Sequence, residues 1–128
     1  AIVVGEDMTI EPFRSQVVRW TVWKFPPSKN YNYPRKFADN PGRSVLLLLT
    51  PRDLQTLRPR FHGVTPLLDA MRTASGYMQL RQSVFITVPR QARGYFFLLA
   101  AYSPEGMKKL GKAFFSLEQI PAVPVKVD

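Results

Sequence analysis

Two segments of this chain of 128 residues follow the same local plan. Residues 43–57 read RSVLLLLTPRDLQTL and residues 94–110 read GYFFLLAAYSPEGMKKL, so each apolar run leads to a hydroxyl residue, a proline and helically spaced apolar residues. Thr50 and Ser103 are residue types that cap helix N-termini, and proline is favoured at the first helical position. The plan therefore predicts, twice, a buried strand joined directly to an amphipathic helix.

Further strands are predicted from β-branched and aromatic residues. Residues 17–25 read VVRWTVWKF and are predicted to form a strand, as are residues 77–88, which alternate between apolar and polar positions. Residues 31–37 are predicted to form a short strand, and Pro34 would place that strand at an edge. Each of the two strand-to-helix segments is thus preceded by sequence rich in predicted β-structure.

The sequence also predicts how far the two helical regions extend. Residues 64–73 are expected to continue the first helical region, and the last helix is expected to reach about Leu117. Pro121 and Pro124 lie beyond that point and predict an extended tail.

These elements predict an α+β fold in one domain, residues 1–128. The expected order is sheet, helix, sheet, helix, with three or four antiparallel strands in each of two sheets. The pseudo-repeats would cover about residues 1–74 and 75–128. Since one such unit cannot bury both its sheet and its helix alone, the halves are expected to pack together.

The composition excludes several classes of site. The chain has no cysteine, which excludes disulfide scaffolds, iron–sulfur ligation and thiol catalysis, and the lone His62 makes a metal site unexpected. No phosphate-binding glycine loop and no nucleophile elbow occur. Asp53 and Glu105 are assigned to helix starts, so we expect no catalytic residue, no metal and no cofactor. No apolar run approaches the roughly 18 residues that a membrane helix needs.

Positive charge is concentrated in the first half of the chain. The formal net charge is +9, and residues 14–60 contain ten basic and two acidic residues, which gives +8. This excess falls on predicted strands and hairpins, so it indicates a broad surface that follows a phosphate backbone. The alternative is a solvated positive face without a ligand.

Aromatic and basic residues alternate within residues 19–25, 29–36 and 93–95. A single-stranded nucleic acid needs cations for its phosphates and rings for its bases. We interpret Trp20 and the phenylalanines at positions 96 and 97 as core residues. The candidates for RNA contact are Arg14, Arg19, Lys24, Lys29, Tyr31, Tyr33, Arg35, Lys36, Arg43, Arg81, Arg90 and Arg93.

Two candidate sets remain open between a binding and a structural role. Tyr31 and Tyr33 fit base stacking or packing at a sheet edge. Lys108, Lys109 and Lys112 lie off the apolar stripe of the last helix and fit RNA contact or a solvated face.

The order of segments RKFADNPGRSVLLLLTPRDLQTL and GYFFLLAAYSPEGMKKLGKAFFSL resembles the Whirly fold. The Lys-Gly-Lys-Ala-Ala-Leu hallmark of the plant proteins is absent, so the chain is more similar to the kinetoplastid mitochondrial RNA-binding proteins of this fold. The resemblance implies a heterotetramer with a related paralogous chain, in which helices pack centrally and sheets face outward.

The same resemblance implies a function in the mitochondrial matrix. A guide RNA would lie across the basic sheets, held through its phosphates, and the protein would anneal it to pre-mRNA during uridine-insertion and -deletion editing. Two alternatives remain: a structural subunit of a mitochondrial ribonucleoprotein, and an ssDNA-binding protein. A membrane-surface protein is not favoured, because the last helix has three lysines and little else to hold it there.

Overall fold

A single mixed sheet with helices on both faces forms the described part of the chain. The computed structural model describes residues 2–4, 14–15, 22–24, 44–61, 64–90 and 94–127. In chain order, the elements are β1 (Ile2–Val4), β2 (Val22–Lys24), β3 (Val45–Leu49), α1 (Pro51–Leu57), a 3-10 turn (Arg58–Phe61), α2 (Thr65–Gln79), β4 (Ser83–Pro89), β5 (Tyr95–Ala100), α3 (Pro104–Phe115) and β6 (Val125–Val127).

The described strands lie in the order β2-β1-β3-β5-β4-β6. Strands β1, β2, β3 and β5 are parallel, whereas β4 runs antiparallel to both β5 and β6. The α+β class is confirmed, but the described residues form one mixed sheet where two antiparallel sheets were expected. The apolar strands of the two matching segments are direct neighbours, with Val45 opposite Phe96 and Leu49 opposite Ala100.

The segment that connects the two strands explains why β3 and β5 are parallel. The chain leaves β3 through α1 and α2 and adds β4 before it enters β5 from the same end as β3. A long crossover of this kind joins parallel strands, whereas a tight hairpin joins antiparallel ones. Local sequence signals are the same for both outcomes, and among the described strands the expected antiparallel direction is found only where β4 pairs with β5 and β6.

Strand β3 is buried on both faces. Val45, Leu47 and Leu49 pack with the apolar residues of α1 and α2, and Leu46 and Leu48 pack with those of α3. A strand covered on both sides reads as a continuous apolar run, which is the pattern that the sequence shows here.

The two matching segments place their helices on opposite faces. Leu54 of α1 belongs to the cluster on one side of the sheet, and Met107 and Leu110 of α3 belong to the cluster on the other side. Helix α2 also continues through residues 74 and 75, where the pseudo-repeat boundary was expected. The shared plan is therefore a local strand-to-helix unit in the described structure, with no second sheet attached to it.

Helix α2 ends later than the sequence predicts. A strand was expected from residue 77, but α2 extends to Gln79 and β4 begins at Ser83. Met71, Ala74 and Met78 are all buried at helical spacing, so their packing against the sheet holds the last turn.

Both predicted helix caps are present. The Thr50 backbone N–H and Oγ1 donate to Asp53 Oδ2 at 2.9 and 3.0 Å, and the Asp53 N–H donates to Thr50 Oγ1 at 3.2 Å. At α3, Ser103 Oγ accepts from the Gly106 N–H at 3.1 Å. Asp53 is 0% exposed, so its carboxylate is committed to the start of α1.

The remaining strand predictions are met in part. Strand β2 lies within the predicted strand of residues 17–25, whereas the strand at 31–37 falls outside the described residues. Strand β1 was not predicted, and the expected extended tail contains β6, which pairs with β4. Among the described residues, no helix has the length and apolar character needed to cross a membrane.

Helix α3 approaches the sheet most closely at Gly106. A Cβ on Gly106 would overlap Ser83 Oγ and lie 3.0 Å from Ser83 Cβ. Ser83 cannot turn away freely, because its Oγ accepts from the Tyr102 N–H at 2.8 Å and the residue is buried. Gly106 is therefore required by packing, whereas Gly76 in α2 has open space where its Cβ would lie.

We expect Gly106→Ala to lower the free energy of unfolding by about 1–3 kcal/mol, as overpacking does. Gly76→Ala is the matched control and should raise the free energy of unfolding by roughly 0.5–1 kcal/mol, because alanine is the better helix former. Urea unfolding followed by circular dichroism measures both changes. Equal stability of the two variants would contradict the close packing of α3 on Ser83.

Candidate nucleic-acid interface

Four aromatic side chains form a row on the face of the sheet that α3 covers. The ring centroids are 5.7 Å apart for Tyr95 and Phe97, 5.1 Å for Phe97 and Phe114, and 4.9 Å for Phe114 and Phe115. Each of these four residues is only partly buried. We call Tyr95, Phe97, Phe114 and Phe115 the aromatic ledge.

A buried ring packs against the two central rings of the aromatic ledge, Phe97 and Phe114. Phe85 of β4 is 1% exposed, and its ring centroid lies 6.1 Å from that of Phe97 and 5.5 Å from that of Phe114. These separations fall within the range of favourable aromatic pairs, so Phe85 fixes the position of the two central rings.

Strand parity and helix direction bring the ledge together. Alternation along β5 places Phe97 on the α3 side, whereas its neighbours Phe96 and Leu98 pack on the α2 side. Helix α3 starts after β5 and returns along it, so its last turn delivers Phe114 to the beginning of that strand. The Tyr95 N–H donates to Ser44 Oγ at 3.2 Å, which ties the beginning of β5 to the residue before β3.

Three lysines line the solvent side of α3. Lys108, Lys109 and Lys112 are exposed, while Met107 and Leu110 face the sheet. Lys112 precedes Phe115 by three residues, so the two lie on neighbouring turns of one helix face. Lys112 therefore lies on the same helix face as Phe115, at one end of the aromatic ledge.

The structure does not bring together the predicted RNA-contact residues that it describes. Arg14 lies in a turn, Lys24 ends β2, and Arg81 and Arg90 flank opposite ends of β4. The seven residues of β4 span roughly 20 Å, which separates the two arginines. The predicted contacts outside the described residues are Arg19, Lys29, Tyr31, Tyr33, Arg35, Lys36, Arg43 and Arg93.

Arg90 packs on the side of the sheet opposite the aromatic ledge. Its guanidinium carbon lies 5.1 Å from the ring centroid of Phe96, which is buried among residues of the α2 side. Partial burial lowers the pKa of Arg90 from its ordinary value, although an arginine stays charged at neutral pH. Arg90 thus serves as a cation over a core ring.

Helices cover both faces of the central strands. All five residues of β3 are buried, as are five of the seven residues of β4. The open sheet surface on which RNA was expected to lie is therefore not available on these strands. In the parts of the chain that the structure describes, the exposed cations lie on helices, turns and the edge strand β6.

Sequence reasoning found only part of the aromatic ledge, because it placed Tyr95 beside cations but did not assign the three phenylalanines to a binding surface. Phe97 was interpreted as a core residue, and it does pack against the core cluster on the α3 side although it stays partly exposed. Lys112 was left open between RNA contact and a solvated face. The available signal was the pair Tyr95 and Phe97, which share one face of a strand because they are two residues apart.

Comparison with protein-family models, with curated proteins and with solved structures found no match for this chain. Among the described residues, no group of three or more histidine, aspartate or glutamate side chains is placed to hold a metal ion. The candidate interface therefore stands on its own geometry.

Arg81 adopts a backbone conformation that is unfavourable for its residue type. Its φ is 58°, in the left-handed region, within the turn that joins α2 to β4. The preceding Leu80 is 71% exposed, so neither side chain is held by the core.

We expect Arg81→Gly to raise the free energy of unfolding by about 0.5–1 kcal/mol, since glycine adopts this φ without the penalty of a Cβ. Arg81→Ala keeps the Cβ and serves as the control, with no gain expected. Thermal and urea unfolding measure the difference. A glycine variant no more stable than the alanine variant would contradict the assignment of strain to this turn.

Proposed function

We propose that this protein binds single-stranded RNA without catalysing a reaction, along the side formed by α3 and the aromatic ledge. The observation that carries the proposal is the row of four adjacent, partly exposed rings beside Lys112. Each base that stacks on such a ring contributes about 1–3 kcal/mol, and every base has a face that can stack. Binding of this kind tolerates many sequences.

The lysines supply the second requirement of the ligand. Lys108 and Lys112 are four residues apart, so their Cβ atoms lie about 5–6 Å from each other on one helix face. An RNA strand that runs along α3 would bring its phosphates to these ammonium groups and its bases to the aromatic ledge. The net charge of +9 raises the local concentration of any polyanion around the chain.

An annealing function follows from the same chemistry. Two complementary RNAs repel each other through their phosphates, and a cationic surface lowers that repulsion without reading the sequence. The finer parts of the proposal are a guide-RNA ligand, editing, the mitochondrial matrix, a heterotetramer with a paralogous chain, and the Whirly fold. They rest on the resemblance in sequence pattern and remain predictions.

The two alternative functions predict different experimental results. A structural subunit of a mitochondrial ribonucleoprotein would co-sediment with a large particle and would not accelerate annealing of complementary RNAs. An ssDNA-binding protein would bind DNA more tightly than RNA of the same sequence. The 2′-hydroxyl of RNA is the group by which a protein can distinguish the two.

Charge removal on α3 tests the electrostatic part. In the variant with Lys108, Lys109 and Lys112 all changed to Gln, affinity for a labelled single-stranded RNA should fall. The slope of log K against log salt should decrease by about 2, at roughly 0.7 for each lost phosphate contact. Fluorescence anisotropy at a series of salt concentrations measures this slope. Arg72→Gln on α2 is the control, since Arg72 is exposed and pairs only weakly with Asp69 at 3.5 Å. Equal slopes in the two variants would refute contact at α3.

Ring removal tests the stacking part. Phe115→Leu keeps an apolar side chain but removes a stacking surface, so RNA affinity should fall by about tenfold. The salt slope should stay unchanged, because no cation is lost. Unfolding of the variant in urea verifies that the fold is retained. A folded variant with unchanged affinity would exclude Phe115 from the interface.

A further inference from the structure

One hydroxyl group beside the aromatic ledge has no hydrogen-bond partner among the described residues. Thr87 Oγ1 is buried, and Thr87 lies directly opposite Phe97 in the register of β4 and β5. It shares the α3 side with Phe85, which is two residues away on the same strand. The polar group therefore sits next to the rings on which bases are proposed to stack.

An unpaired buried hydroxyl is unfavourable, and the sequence had a simple way to avoid it. Valine has nearly the same shape and an equal preference for strands, but no polar atom to satisfy. Few buried polar groups in native proteins lack a partner, and each one calls for an explanation. Packing alone does not explain why position 87 carries a threonine.

The hydrogen-bond ladder between β4 and β6 ends before it reaches Thr87. The Arg90 N–H donates to the Gly94 carbonyl at 3.1 Å, so the alternating ladder directs the main-chain groups of Val88 and Ile86 toward β5. The main-chain groups of Thr87 point the other way, toward the side of β6. Strand β6 begins at Val125, opposite Phe85, and therefore does not extend alongside Thr87.

A change of χ1 rotamer would move the Thr87 hydroxyl out of its buried position. Thr87 as a residue is partly exposed although its Oγ1 is buried, so its exposed area belongs to its other atoms. Rotation about χ1 exchanges the positions of the hydroxyl and the methyl group between staggered wells. A bound group that offers an acceptor would favour the rotamer that presents the hydroxyl.

We propose that Thr87 reads the base stacked beside Phe97, by donating its hydroxyl hydrogen to a carbonyl oxygen on the base edge. This inference rests on the proposed RNA-binding function and adds a base preference to it. The phosphate contacts on α3 and the stacking on the aromatic ledge carry no such preference. A lone donor among apolar rings is satisfied by a carbonyl oxygen of the base, and it loses that partner on a base that carries only hydrogen at the same position.

The test uses two short RNAs whose bases differ at C6, which carries a carbonyl oxygen in one and only hydrogen in the other, and in the proton that accompanies the carbonyl at N1. One is an oligomer of inosine, and the other is an oligomer of purine riboside, which stacks similarly but has no exocyclic oxygen. We expect the wild-type protein to bind the inosine oligomer roughly threefold to tenfold more tightly. In Thr87→Val this ratio should fall to about 1, and in Thr87→Ser, which keeps the hydroxyl, the ratio should remain.

The outcomes separate this inference from the function on which it rests. If the wild-type protein binds both RNAs and Thr87→Val keeps the wild-type ratio, Thr87 does not read the base although RNA binding stands. A wild-type ratio of 1 leads to the same conclusion. If the wild-type protein binds neither RNA, the proposed function fails and this inference fails with it. Urea unfolding of both variants verifies that they fold.

Discussion

The parallel pairing of β3 with β5 is the constraint on which the rest of the structure depends. No residue of β3 exposes more than 1% of its surface, so both of its faces must be covered. A parallel neighbour also requires a long crossover, and α1 and α2 supply both the crossover and the cover for one face. The other face needs a separate helix, which α3 provides. Once α3 lies there, the end of this helix and the start of β5 meet, and their rings form the aromatic ledge.

Local chemistry predicted the elements better than their arrangement. The apolar runs, the caps at Thr50 and Ser103 and the prolines after them correctly predicted two strands and two helix starts. Those signals arise within a few residues and do not depend on distant contacts. The direction of β5 relative to β3 depends on where the chain goes between them, and no local pattern encodes that path. The late end of α2 has a similar cause, because burial of Met78 against the sheet overrides an alternating pattern.

The candidate site was harder to predict than the fold because it depends on which neighbours cover each side chain. Cations are visible in a sequence, and the first half of the chain attracted attention for that reason. Whether a phenylalanine is core or surface depends on what covers it, as the contrast between Phe96 and Phe97 shows. These adjacent residues point to opposite faces, and Phe97 stays partly exposed whereas Phe96 is buried. The spacing of two residues along the strand is enough to place Phe97 beside Tyr95. Phe114 joins them only because α3 runs back along β5, which the local sequence does not show.

The close contact between Gly106 and Ser83 has a consequence at the opposite end of α3. This helix contains 12 residues and is therefore about 18 Å long, with Gly106 near its start and Phe115 at its end. The helix is rigid over this length, and its closest contact with the sheet is at Gly106, a residue without a side chain. Gly106 and Phe115 are nine residues apart, or about 13.5 Å, so a tilt of about 5° at Gly106 would displace the far rings by roughly 1.2 Å, about a third of the thickness of a stacked base. A substitution at position 83 or 106 would thus shift the rings of the aromatic ledge without any change in the residues that touch a ligand.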